Sequence, residues 1–124
     1  MDMKMNIHYK SEKSIYQQIV DQIEGLILSG RIKADEFLSS VRETAVQNKI
    51  NPNTIAKAYK ELQRKGVVES VRGKGLRVCA LDDKVKTETI HQILLDTAKK
   101  NHQICNRLGI TIDQLINIIK ETKE

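Results

Sequence analysis

The sequence predicts a mainly α-helical chain with one small β-hairpin, and three observations support that class. Apolar residues recur at helical spacing in five stretches, four of them opened by a capping residue. Between the third and fourth stretches, two β-branched runs flank the Gly-rich turn Arg72-Gly73-Lys74-Gly75. Charge is also segregated: residues 1–81 hold 14 Lys/Arg against 9 Asp/Glu, whereas residues 82–124 hold 7 of each. The whole net charge of +5 therefore belongs to the first part, which favours a polyanionic partner for that part alone.

Met1 to Lys13 is polar and weakly patterned, with Ile7-His8-Tyr9 the one short extended candidate. Ser14 opens the first helix, and Gln17 three residues later completes a capping box. Ile15, Ile19, Ile23, Leu26 and Ile27 form its buried face, and Ser29-Gly30 ends it near a left-handed position. After the loop Arg31 to Leu38, Ser40 and Glu43 form a second box. It starts a short helix to about Lys49, with Val41, Ala45 and Val46 directed inward.

The third helix is the most informative. Asn51 is an N-cap, and Pro52 sits at the first helical position, where a missing N–H costs nothing. Ile55, Ala58, Tyr59 and Leu62 make a core-facing stripe, while Asn53, Lys57, Lys60 and Arg64 share the opposite arc. An amide followed by cations suits base edges and phosphates. Gly66 stops the helix. Val67 to Val71 and Leu76 to Ala80 then form a hairpin whose tip cations, Arg72 and Lys74, can reach phosphates or the minor groove. Two helices joined by a tight turn, then a basic hairpin, make an N-terminal winged helix-turn-helix over residues 1–81.

Residues 82–124 form a short α-helical dimerisation or effector region. Asp82-Asp83-Lys84 reads as a linker, and Thr87 to Leu108 as a long helix. Ile90, Leu94, Thr97, Asn101, Ile104 and Leu108 recur at alternating steps of four and three. That spacing is a seam for a partner helix, with two polar members that favour one register. After Gly109, Thr111 and Gln114 box the last helix, and Ile110 staples against Leu115. Ile112, Leu115, Ile116 and Ile119 are its apolar face. A two-helix hairpin of this size cannot enclose its own core. The seam, with Ile90, Leu94, Ile104, Leu108, Leu115 and Ile119, is therefore assigned to dimerisation.

Other chemistry finds little support. His91 and His102 lie about 16 Å apart along one helix, too far to share an ion. His102 and Cys105 lack a third ligand, so no metal or other cofactor is expected. Arg72-Gly73-Lys74-Gly75 lacks the Gly-Lys-Ser/Thr ending of a phosphate loop, and no nucleophile–base or paired-carboxylate arrangement is legible, so an enzyme is not expected. Aromatic residues are 3% of the chain, too few for stacking single strands. No apolar run approaches a membrane span and no signal peptide is visible, so the expected location is the cytoplasm.

Ile15-Tyr16-Gln17-Gln18-Ile19, Leu38-Ser39-Ser40-Val41-Arg42-Glu43, Asn51-Pro52-Asn53-Thr54, Ala56-Lys57-Ala58-Tyr59 and Arg72-Gly73-Lys74-Gly75 together resemble the DNA-binding domain of the GntR family of bacterial transcription regulators. The Asn-Pro-Asn-Thr run and the short C-terminal part resemble its YtrA-like branch. Two departures stand out: Ala34-Asp35 replaces the family's usual Pro-Gly, and Leu38-Ser39-Ser40 its usual Leu-Pro-Ser. The resemblance implies that Arg42 contacts DNA, that Asn51, Asn53, Thr54 and Lys57 enter the major groove, and that Gly73 lies at the wing tip. Ala56 stands where other branches carry Arg, which shifts readout towards Lys57.

The expectation is a homodimeric, sequence-specific regulator of double-stranded DNA, a repressor binding an inverted repeat. Arg42, Lys60, Arg72 and Lys74 would hold the backbone. Its own operon is the expected target, and the YtrA-like resemblance adds control of ABC-transporter genes. A small effector of unnamed chemistry could bind in the dimer seam. The competing expectations are a nonspecific architectural nucleic-acid binder and a winged helix that binds protein.

Overall fold

The computed structural model describes residues 2–123. Its elements, in order, are α1 (Ile15–Leu28), α2 (Val41–Asn48), α3 (Pro52–Arg64), β1 (Val68–Val71), β2 (Gly75–Val78), α4 (Asp83–Leu108) and α5 (Ile112–Glu121). They fall into two compact units, Met1–Asp82 and Asp83–Glu124.

The first unit closes around one core. Ile19, Val20, Ile23 and Ile27 of α1 meet Ile55, Ala58, Tyr59 and Leu62 of α3, with Ala45 of α2 and Val68 and Val78 of the hairpin completing the cluster. The α3 stripe is the predicted one, and all four of its members are buried. On α2 the inward set differs from expectation. Ala45 is buried and Val41 packs against the core, but Val46 is 72% exposed and fully buried Thr44 takes the inward place. At 100° per residue, Val46 lies one step past the buried arc, so a helix of two turns cannot bury it beside Thr44 and Ala45.

The N-terminal segment is more ordered than its polarity suggests. Met3 is buried in the core, and Met5 and Ile7 pack against it. Side-chain carboxamides act in place of a neighbouring strand. Gln47 accepts from the Met3 amide at 2.9 Å and Asn48 from Met5 at 2.7 Å. Gln22 and Gln18 each both accept from and donate to the backbone, at Asn6 and His8 respectively. No α- or β-periodicity announces such a strap, because its bonds run to carboxamides on other elements.

The hairpin pairs antiparallel in the register Val68↔Val78 to Val71↔Gly75. A third segment joins it. Phe37 bridges Arg77, Leu38 N–H donates to Leu76 O at 2.9 Å, and Val78 N–H to Glu36 O at 2.8 Å. The loop before α2 is thus anchored to the wing despite the missing Pro-Gly. Asp35 adopts the left-handed conformation, φ 71°, that a glycine would take freely. Asp tolerates that region better than most residues.

In the second unit, α4 begins at Asp83, four residues before the expected Thr87, and absorbs most of the presumed linker. Thr111 and Gln114 form the predicted capping box at the start of α5. Cys105 is the one buried residue of α4. Ile90, Leu94, Ile104, Leu108, Ile112, Ile116 and Ile119 are exposed, while Leu115 is half-buried. The Thr97 hydroxyl donates back to Ile93 O at 3.2 Å, and Asn101 is half-buried.

Candidate nucleic-acid interface

Helix α3 starts as its sequence dictates. Asn51 Oδ1 accepts from the Asn53 amide at 2.8 Å, and Pro52 occupies the first turn. The cap uses one lone pair of that oxygen and leaves both amide N–H donors of Asn51 available to DNA. Asn53, Lys57 and Lys60 are exposed, and Thr54 and Ala56 are half-buried beside them. From Asn53 to Lys60 the helix rises about 10 Å. That length matches a major groove about 12 Å wide. Arg64 lies a further turn along, and it is committed elsewhere: its guanidinium binds the Glu61 carboxylate in a two-nitrogen contact.

The helix is set against α2 by a buried relay. Tyr59 O–H donates to Ser39 O at 2.8 Å, and the Thr44 hydroxyl lies 2.8 Å from the same phenol oxygen. Because the phenol proton is used on Ser39, Thr44 is the donor in the second bond. Burial pushes the Tyr59 hydroxyl above its usual 10.0, with the Thr44 bond opposing and the Glu43 charge adding to the rise. At the front of α2, Ser40 and Glu43 form the predicted reciprocal box, which orders the exposed Arg42. The corresponding box at Ser14 is only half made. Ser14 caps Gln17, but the Gln17 amide turns to Asp21 at 2.8 Å.

The wing is short. Lys74 N–H donates to Val71 O at 2.9 Å and Gly73 has φ 77°, a turn that needs a positive φ at its third residue. Arg72 and Lys74 flank that glycine and are exposed. Sequence reasoning missed two residues here. Lys49, between α2 and α3, is exposed in the left-handed conformation at φ 53°. Tyr16 of α1 lies under the Lys57 ammonium, 4.5 Å from ring centroid to Nζ. The wheel spacing of α3 carries no sign of either.

Lys13, Arg64, Lys65 and Arg77 are ion-paired with Asp21, Glu61, Glu24 and Glu69. Among the described residues, Arg42, Lys57, Lys60, Arg72 and Lys74 join no ion pair. Other cations of the first unit, among them Lys4, Lys10, Arg31, Lys33 and Lys49, are unpaired as well, so it is the placement of these five on α2, α3 and the wing tip that makes a cationic face.

A helix-turn-helix followed by a basic wing, with uncommitted cations on the second helix and the wing tip, defines a winged-helix DNA-binding protein. The family model for bacterial regulatory proteins of the gntR family matches residues 15–78. The chain is 34% identical to the HTH-type transcriptional repressor YtrA of Bacillus subtilis over 94% of its length and 90% of that protein's. It is also 34% identical to the HTH-type transcriptional regulator YhcF of the same organism, over 97% and 98%. A crystal structure described as a transcriptional antiterminator from Listeria monocytogenes EGD-e superposes with a TM-score of 0.81 at 30% identity, over all of this chain and 92% of that one. The chain belongs to the GntR family: it is a YtrA-like, DNA-binding transcription regulator and not an enzyme. Among the described residues, no helix is long and apolar enough to cross a membrane.

Proposed function

We propose that this regulator is a sequence-specific repressor that binds an inverted-repeat operator as a homodimer. Residues 1–81 serve as the DNA-binding domain, and residues 82–124 as the dimerisation region. The placement of Arg42, Lys57, Lys60, Arg72 and Lys74 carries the reading: exposed and outside every ion pair, they lie on α2, α3 and the wing tip of a winged helix, where a polyanion would meet them. Asn53, Thr54 and Lys57, with the amide donors of Asn51, contact bases or adjacent phosphates. Arg42, Lys60, Arg72 and Lys74 hold the backbone, and Gly73 lets the wing approach the groove. Dimerisation through Ile90, Leu94, Ile104, Leu108, Leu115 and Ile119 would place two α3 helices in successive major grooves, about 34–36 Å apart for adjacent half-sites. Similarity to YtrA supports repression. The resemblance to that branch also suggests its own operon and ABC-transporter genes as targets, with any effector bound in the α4–α5 seam.

The test is footprinting with two variants on a selected operator. Lys57→Ala should cost affinity and change base preference. Lys74→Ala should weaken all sequences about equally and flatten the salt slope by about one. Unchanged binding by both would sink the assignment. A specific-to-random ratio well below ~10³ would instead favour an architectural binder.

A further inference from the structure

Helix α1 has no part in the contacts assigned above, yet its first turn reaches the reading helix. Tyr16 packs against the core from one side, and its ring carries the Lys57 ammonium on the other, at 4.5 Å. Lys57 has an obvious alternative partner, Glu61, four residues on along the same face of α3. That pair is not made. Arg64 takes the Glu61 carboxylate with both its Nε and a terminal nitrogen. The Arg64 contact is also the main reason that this carboxyl sits below its ordinary range, and Tyr16 adds to the effect. The Lys-before-Glu order is the weaker orientation for an i,i+4 pair, which makes the diversion easier.

We propose that Tyr16 is a positioning residue for base readout. Its half-buried ring holds the Lys57 ammonium at the groove-facing edge of α3, and the Arg64–Glu61 clamp removes the carboxylate that would otherwise neutralise it. This rests on the assignment of Lys57 as a base reader. An ammonium has three N–H donors and turns only part of them to the ring face, so the contact can persist while Lys57 donates another to a base edge or phosphate. Restraint of a long, flexible side chain also lowers the conformational entropy lost on binding. An exposed cation–π contact supports an effect of roughly two- to five-fold.

The experiment uses the full chain and duplexes carrying each base pair in turn at every operator position. Lys57→Ala first identifies the position that Lys57 reads. Tyr16→Leu should then reduce discrimination there by roughly two- to five-fold. Tyr16→Phe, which keeps the ring, should restore it, and the salt slope should not change. Equal weakening at every position, or no loss of discrimination, would overturn the proposal by reducing Tyr16 to packing. A measurement on the wild-type protein does not depend on the variants folding. The Lys57 ε-methylene protons should be shifted upfield by the ring, and random-coil shifts would overturn the proposal. If Lys57→Ala alters no position, the base-reader assignment fails and this inference with it. If it does alter one while Tyr16→Leu and the shifts show nothing, only the inference fails.

Discussion

The two units of the chain use apolar side chains in opposite ways. Among the described residues, every buried hydrophobic side chain except Cys105 lies in Met1–Asp82. Every exposed large hydrophobic except Tyr9 and Val46 lies in Asp83–Glu124. The first unit satisfies itself, with a closed core and, among the described residues, no buried side-chain polar atom without a partner. The second is two helices, α5 opened by the Thr111–Gln114 capping box, with a row of exposed apolar side chains. Single exposed leucines are ordinary, but contiguous faces of this kind mark interaction sites. The contrast separates two tasks. The winged helix carries the chemistry of recognition, and under the proposed function the hairpin would supply surface for a second copy and so bring a second winged helix to the operator.

The strongest way to break the comparison is to charge the hairpin face. Leu94→Asp with Leu108→Asp should abolish self-association in sedimentation equilibrium. Operator affinity should fall by about 10²- to 10⁴-fold through lost bivalency, while the first unit keeps its helical circular dichroism. Retained dimers would show that this face is not the interface. A smaller effect should come from Tyr59→Phe. Removing the hydroxyl deletes its bonds to Ser39 O and to the buried Thr44 hydroxyl and should cost about 1–2 kcal/mol in denaturant melts near neutral pH, without changing self-association. Its pH dependence follows from the raised Tyr59 hydroxyl. The folded state holds that proton more tightly than the unfolded state, so its contribution is complete below 10.0 and is lost as pH rises beyond. The wild type should therefore lose stability above pH 10 more steeply than Tyr59→Phe. The smallest effect should be a gain. Lys49→Gly relieves a left-handed non-glycine residue and should stabilise the first unit by about 1 kcal/mol in the same melts. No gain would mean that local contacts of the Lys49 side chain offset the strain.

Where periodicity and capping chemistry determine structure, the sequence was legible. The α3 stripe, the boxes at Ser40 and Thr111, the Asn51 cap and the hairpin all form as their residues predict. Features that depend on distant partners were not legible. The Met3 strap is held by carboxamides on α1 and α2, and the Phe37 segment by backbone bonds to β2, so neither leaves a local pattern. Val46 could not be placed because a two-turn helix allows several inward arcs. The site residues were named from spacing and resemblance. Which cations are already neutralised could not be read there, because Arg64 and Arg77 find their carboxylates three and eight residues away, on their own helix and across a hairpin.

Selection of bound duplexes from a random library tests the central claim most directly. A homodimeric repressor should enrich one inverted repeat, its half-site centres about one helical turn, or a whole number of turns, apart. Lys57→Ala should select a changed base within each half-site. Recovery of unrelated sequences, or of a single unrepeated half-site, would contradict a sequence-specific homodimer.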